Sequence, residues 1–185
     1  MEIILAENHG FCYGVKRAVE MANEAANGKG KSYTLGPIIH NPQVVGRLES
    51  KGVSPIQEVS DIDEGTMIIR SHGVGPAIYE EAEEKGLAIV DATCPHVKKA
   101  QQDAKSVIED GMTLVILGEK NHPEVKSINL WANNKGIIIE DEDSAKNLQV
   151  VEKMGVVVQT TFSQFKFNSI IEILEKKSKN LKIFK

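Results

Sequence analysis

The chain has 185 residues, 41% hydrophobic and 26% charged, with a formal net charge of −4. This is enough apolar material for one globular domain or two small ones, and the acidic balance argues against a general nucleic-acid or membrane-surface binder. Two cysteines are too few for a disulfide framework and fit a reducing cytoplasm. No apolar run approaches the roughly 20 residues of a membrane span, and the acidic start MEIILAE lacks the basic region of a signal peptide.

The apolar run EIILA (2–6) predicts a first strand. It leads into GFCYGVKRAVEMA, where Cys12 stands at the mouth of a predicted helix over 14–26. SYTLG (32–36) predicts the next strand; His40 follows it, and HNPQVV opens a helix over 42–52. TMIIR (66–70) predicts a strand followed by His72 and by a helix that opens at GVGPAI. LAIVD (87–91) leads to Cys94 and a helix over 95–111. TLVILG (113–118) leads to His122 and Glu124 in NHPEV. GIIIED (136–141) and VVVQT (156–160) are further strands, the second closing on Thr160. The C-terminal EILEKKSKNLKIFK carries five lysines and ends on the strand-like LKIFK. A final edge strand and a frayed basic tail are both open readings of it. An α/β pattern that stops just after a strand also lacks its closing helix.

The strand runs are apolar throughout rather than alternating, as expected of strands covered on both faces. Strand–helix repetition predicts an α/β fold with parallel sheets and right-handed crossovers. A boundary near 92–96 divides the chain into two similar α/β units, 1–94 and 95–185.

His40, His72, Cys94, His122, Glu124 and Thr160 all follow predicted strands, and Cys12 comes soon after one. In an open parallel sheet, ligands bind beyond the carboxyl ends of the strands. Four helices are predicted to start with proline, which is favoured at the first helical position, leaving Asn41, Gly75, Cys94 and His122 as caps. Helix starts offer free N–H groups and partial positive charge. Together with three histidines they make an anion site, and a phosphate or diphosphate is the natural guest. Taken singly, each is also an ordinary well-made helix start.

Each cysteine sits at a predicted helix start, which favours the thiolate, the form that binds metal. They lie 82 residues apart, with no zinc-ribbon or CxxC spacing. Metal ligation, a redox disulfide, a nucleophilic thiol with a histidine partner and simple apolar burial all remain open on spacing. Glu124, in the first turn of its helix, either complements the dipole or relays protons beside the anion pocket. His9 and His96 flank the cysteines, as supporting groups or as ordinary surface histidines. Trp131 is expected to pack.

GFCYGVKRAV, GPIIHNPQVV, SHGVGP, DATCPHV, NHPEV and QTTFS occur in order along residues 1 to 165. In these six motifs the chain resembles the LytB/IspH family, the 4-hydroxy-3-methylbut-2-enyl diphosphate reductases of the non-mevalonate isoprenoid route. The resemblance implies a trefoil of three similar α/β units around a [4Fe–4S] cluster. Three cysteines hold the cluster, one from each unit, and Cys12 and Cys94 fall on the first two positions. His40, His72 and His122 fall on the histidines that bind the substrate diphosphate. Glu124 falls on the proton-relaying acid. Thr160 falls on the threonine that hydrogen-bonds near the substrate hydroxyl and helps deliver protons. The implied activity is a reductive dehydroxylation to isopentenyl and dimethylallyl diphosphate. It takes electrons from an external donor such as ferredoxin or flavodoxin, in the cytoplasm, without nucleic acid or membrane.

Two departures qualify what the resemblance implies. The family's third cysteine and third unit fall beyond residue 185. The expectation is therefore a fragment spanning the N-terminal two-thirds, inactive by itself and without an intact cluster. HPEVKSINLW also differs from the commoner Gly-rich sequence after the family's HPEV. The competing readings are a non-catalytic diphosphate-binding module and a thiol-redox protein using Cys12 and Cys94.

Overall fold

The computed structural model of the chain describes residues 3–7, 9–28 and 30–184. Its elements are α1 (Tyr13–Ala26), β1 (Ser32–Leu35), α2 (Pro42–Glu49), β2 (Val53–Ile56), β3 (Thr66–Ile69), α3 (Pro76–Glu84), β4 (Ala88–Asp91) and α4 (Pro95–Glu109). They continue with β5 (Thr113–Leu117), α5 (Pro123–Trp131), β6 (Ile137–Ile139), α6 (Glu142–Lys146), β7 (Val151–Val158), α7 (Gln164–Glu175) and β8 (Ser178–Phe184). A short 3-10 helix spans Val59–Asp61. The strands form two parallel sheets, ordered β2-β1-β3-β4 and β6-β5-β7-β8. Among the described residues, no helix is long and apolar enough to cross a membrane.

The chain divides into two compact units. One holds the residues up to Ser71 together with Lys85–Cys94, the other His72–Glu84 together with Pro95–Lys185. The segment 72–84 is thus an exception to a single cut at 94/95. Its contacts explain why: Trp131 of α5 donates from Nε1 to the Val74 carbonyl at 2.9 Å, and Tyr79 of α3 meets the Trp131 ring edge to face, 6.2 Å between centroids.

In the first unit, α1 buries Gly14, Ala18 and Ala22, a stripe spaced by four residues. It packs with Val44 and Leu48 of α2 against Ile68 and Val53 of the sheet. β2 pairs with β1 alone. That edge position lets it carry Pro55, whose missing N–H would interrupt a central ladder.

In the second unit, alternate residues of the central strands feed two different cores. Val115, Leu117, Met154 and Val156 meet Ala145 of α6 and Phe167, Ile170 and Leu174 of α7. Leu114, Ile116 and Val157 meet Ala104 and Val107 of α4 and Val125 and Ile128 of α5. This two-sided cover is why TLVIL reads as a continuous apolar run.

Most expected strands and helices are present, with some differences. The expected first strand over 2–6 is not formed by residues 3–6, and residue 2 lies outside the described residues. Ile3, Ile4 and Leu5 are 73%, 83% and 76% exposed, so this apolar run has no sheet to join among the described residues. β7 begins at Val151, earlier than expected, and ends before Gln159 and Thr160. β2, α6 and α7 were not anticipated. Residues 181–184 of LKIFK fall in β8, which pairs in parallel with β7 at the sheet edge, and Lys185 lies outside the described residues.

Candidate functional site

Four helices, α2, α3, α4 and α5, do begin with proline: Pro42, Pro76, Pro95 and Pro123. Asn41 caps α2 through its side chain, whose Oδ1 accepts from Val44 N at 3.0 Å. His122 caps α5, its Nδ1 accepting from Glu124 N at 3.2 Å. Gly75 and Cys94 precede the prolines of α3 and α4.

In the first unit, Cys12 is exposed and occupies the cap position of α1, yet its side chain makes no capping bond. Cys94 is half-buried. Its N–H donates to the Ser71 carbonyl at 3.0 Å. The preceding residues are tied as well. Arg17 of α1 donates to the Thr93 carbonyl at 3.1 Å, and Thr93 N donates to Asp91 Oδ1 at 2.9 Å. The first turn of α1 lies directly against Cys94: a Cβ on Gly14 would come 2.6 Å from Cys94 Sγ. Cys12 therefore stands two positions before Gly14, the point where its helix touches the other thiol. Both cysteines are free.

His40 is exposed, between buried Ile39 and the cap Asn41. Arg70 follows β3 on the same unit. Its guanidinium lies over Gly36, where the chain turns at φ +70, and a Cβ there would stand 2.8 Å from Arg70 Nη1. Arg70 Nε is buried without a hydrogen-bond partner. Burial pulls the Arg70 pKa below its ordinary value.

The second unit holds His72, His122, Glu124 and Thr160. The His72 and His122 rings meet edge to face, with centroids 5.4 Å apart and an interplanar angle of 80°. Because His122 Nδ1 accepts the Glu124 N–H, Nε2 is the ring nitrogen left to donate. Glu124 is 2% exposed. Its Oε1 accepts from Thr160 N at 2.6 Å and its Oε2 from Thr160 Oγ1 at 2.8 Å. A carboxylate in the first turn also complements the helix dipole. Two donors and a helix start offset the cost of burying that charge. Thr160 is exposed and lines an open cavity of about 400 Å³ with His96, Gln159, Phe162, Phe167 and Phe184.

The structure thus brings together the Cys12 helix and Cys94 in the first unit, and His72 with His122 and Glu124 with Thr160 in the second. His40 belongs to the first unit, with the cysteines. His9 is exposed and bonds locally to the Ala6 carbonyl. Trp131 does more than pack, since its N–H holds Val74. Sequence reasoning passed over Ser127, whose Oγ donates to the His72 carbonyl at 2.8 Å, and over Arg70. The only hint of Ser127 was the departure of HPEVKSINLW from the Gly-rich pattern.

Two thiols on one unit are soft donors of the kind iron–sulfur clusters take, so the residues present fit such a group. A cluster with three protein thiolates requires one more cysteine than this sequence contains.

A family described as "LytB protein" matches residues 3–185. A 4-hydroxy-3-methylbut-2-enyl diphosphate reductase of Geotalea uraniireducens is 47% identical over 184 residues, covering 100% of this chain and 65% of that protein. One from Caldanaerobacter subterraneus is 46% identical over 189 residues, covering 100% of this chain and 66% of that protein. The solved structure of the Plasmodium falciparum E-1-hydroxy-2-methyl-but-2-enyl-4-diphosphate reductase is similar, with a TM-score of 0.91 and 31% identity, over 96% of this chain and 57% of that one. A second structure, of an (E)-4-hydroxy-3-methyl-but-2-enyl diphosphate reductase described as the terminal enzyme of the non-mevalonate pathway, gives 0.83 and 41%, over 98% and 66%. The chain spans 65% of the length of the Geotalea relative.

Proposed function

The chain belongs to the LytB protein family, and from that premise we propose that it carries two units' share of a 4-hydroxy-3-methylbut-2-enyl diphosphate reductase site. His40, His72 and His122 bind the substrate diphosphate, Glu124 and Thr160 handle protons, and Cys12 and Cys94 are two of the thiolates that hold a [4Fe–4S] cluster. The observation that carries this reading is Glu124: a buried carboxylate, both oxygens held by Thr160, two residues past the His122 cap.

The overall change is balanced. The allylic C–O bond breaks, two electrons and two protons enter, one proton leaves with the hydroxyl as water, and the other ends on carbon. When bound, the cluster supplies the electrons one at a time from an external donor of the ferredoxin or flavodoxin class, and its open iron acts as a Lewis acid. The chain's own residues do the rest. His122, its Nδ1 engaged by the Glu124 N–H, donates from Nε2 to a phosphate oxygen, and His72, at its edge, supplies a second imidazole. Glu124 Oε2 and Thr160 Oγ1, 2.8 Å apart, form a short relay in which the hydroxyl passes a proton on as it receives one. Burial shields the Glu124 end of that relay from bulk water, while exposed Thr160 faces the open side.

Calorimetric titration of this chain with inorganic pyrophosphate tests the anion half. His72→Ala and His122→Ala are each expected to weaken binding at least about tenfold, the value of one or two charge-assisted hydrogen bonds. Binding indifferent to both substitutions overturns it. The thiolate half is tested with a chimera in which the remaining third of the Geotalea relative follows residue 185. Reconstituted anaerobically with iron and sulfide, it is expected to turn brown and to reduce the substrate; a colourless chimera overturns the cysteine assignment.

A further inference from the structure

The helix α5 holds the 72–75 segment at three points. Ser127 Oγ donates to the His72 carbonyl at 2.8 Å. Trp131 Nε1 donates to the Val74 carbonyl at 2.9 Å. Leu130 covers Gly75 so closely that a Cβ there would come 2.8 Å from Leu130 Cβ and Cδ1. Behind Ser127 stands Gln101 of α4, whose Nε2 donates to Ser127 Oγ at 3.2 Å. Ser127 and Gln101 are 2% and 3% exposed.

A serine hydroxyl has one proton and two lone pairs. Here the proton is offered between two carbonyls, His72 at 2.8 Å and Glu124 of its own helix at 2.9 Å. The Gln101 amide occupies a lone pair and so turns the proton toward them. The bond to Glu124 is the local back-bond that serine commonly makes within a helix, and it constrains little. The bond to His72 spans 55 residues of sequence and joins two elements.

We propose that Ser127, oriented by Gln101, is a positioning residue that sets where the His72 imidazole stands against His122. The same helix then supplies the His122 cap, the Glu124 carboxylate and, three residues later, the anchor of His72. Fixing the carbonyls of residues 72 and 74 fixes the backbone between them, and little but side-chain rotation is left to the imidazole. The edge-to-face contact with His122 limits that rotation. The start of one helix, from the His122 cap to Ser127, therefore sets the spacing of two of the diphosphate-binding imidazoles. The stretch SINLW, which departs from the family's Gly-rich sequence, is the stretch that does it. The inference rests on the proposed role of His72 only where affinity is concerned, not where ring placement is.

The test uses this chain with Ser127→Ala, Ser127→Thr and Gln101→Met. The first readout is the imidazole proton resonances of His72 and His122, because the ring-current shift each feels depends on the distance and angle of the other. The second is calorimetric affinity for inorganic pyrophosphate. Ser127→Ala is expected to move the His72 resonances and to weaken pyrophosphate about five- to tenfold, the value of one net hydrogen bond. Ser127→Thr, which keeps the hydroxyl, is expected to restore both. Where its added methyl prevents folding, Gln101→Met, which keeps Ser127 and removes the group that aims it, is expected to shift the resonances in the same direction by less. His72 resonances unmoved by Ser127→Ala overturn the proposal. Resonances that move while neither Ser127→Ala nor His72→Ala changes pyrophosphate affinity support the positioning role and overturn the diphosphate reading instead.

Discussion

The two units share one strand order and hold their candidate residues in opposite ways. In the first, Cys12 caps a helix without bonding to it and His40 stands exposed. What is fixed there is backbone, through Ser71, Arg17 and Asp91 around Cys94. In the second, the side chains themselves are fixed: His122 by its cap, Glu124 by Thr160, and the His72 backbone by Ser127. On the proposed roles, the difference follows from what each kind of group would have to do. A thiolate ligand is completed by the metal it binds, so the chain need only bring it near. A proton relay has no such guest and must be aligned by the chain beforehand.

The sharpest way to break that comparison is to remove ligands from one unit and read the other. In the chimera, Cys12→Ser or Cys94→Ser is expected to bring iron content close to zero while leaving pyrophosphate affinity as it was. Glu124→Gln is expected to keep the iron and stop the reduction. Iron analysis and calorimetry on the same samples separate the two. A cysteine variant that loses pyrophosphate as His72→Ala does would mean that the division of labour is wrong.

A smaller effect is expected from Thr160→Val, which keeps the shape and removes the hydroxyl. Glu124 Oε2 then faces no donor in a site that is 2% exposed. The second unit is expected to lose about 1–3 kcal/mol in a urea titration. A change smaller than the error of the titration would show that water replaces the hydroxyl.

These contacts also mark where the sequence was legible and where it was not. β5 could be read because both faces are covered, which makes every residue apolar. β2 could not, because VSPI carries a proline that only an edge position tolerates, and edges are not visible in a local pattern. EIILA has strand composition, but composition does not say whether a sheet edge is free to receive it. The assignment of 72–84 to the second unit depends on Trp131, more than fifty residues away. At the site, the proline-led helix starts gave away His122 and Asn41. By contrast, HPEV alone left Glu124 undecided; the family resemblance implied proton handling by Glu124 and Thr160, and their hydrogen bonding to each other, 36 residues apart, is visible only in the structure. Ser127 escaped for the same reason: a lone serine in a helix shows its meaning only through a distant carbonyl.

Gly14→Ala is the first unit's counterpart to Thr160→Val. The added Cβ would sit 2.6 Å from Cys94 Sγ and 3.2 Å from Cys94 Cβ, so the thiol must swing away. The expected cost is about 1 kcal/mol, the lower end for overpacking, because a side-chain tip can yield. The stronger signature is a change in the rate at which Cys94 reacts with a thiol reagent in a Cys12→Ser background. An unchanged rate would place the Cys94 thiol elsewhere and detach it from the start of α1.

The smallest effect concerns acid, and it bears on the units equally. Asp61 in the first unit accepts from the N–H groups of Glu58 and Gln57, each at 3.0 Å. Those bonds, Glu58's first, hold its pKa below the ordinary 3.8. Asp141 in the second unit caps α6, accepting from Ser144 N at 2.8 Å and Ser144 Oγ at 2.7 Å. These bonds lower its pKa as well, the backbone N–H most. A carboxyl whose folded pKa is depressed stabilises the fold above its unfolded pKa and loses that contribution as pH falls through the folded value. For both groups the window lies below about pH 4. Asp61→Asn and Asp141→Asn are each expected to melt slightly lower than the parent at pH 7 and to converge with it in acid. Both carboxylates are exposed, so each shift is small. Convergence in one variant alone would mean that acid loosens the two units unequally, which their matched hydrogen bonding does not predict.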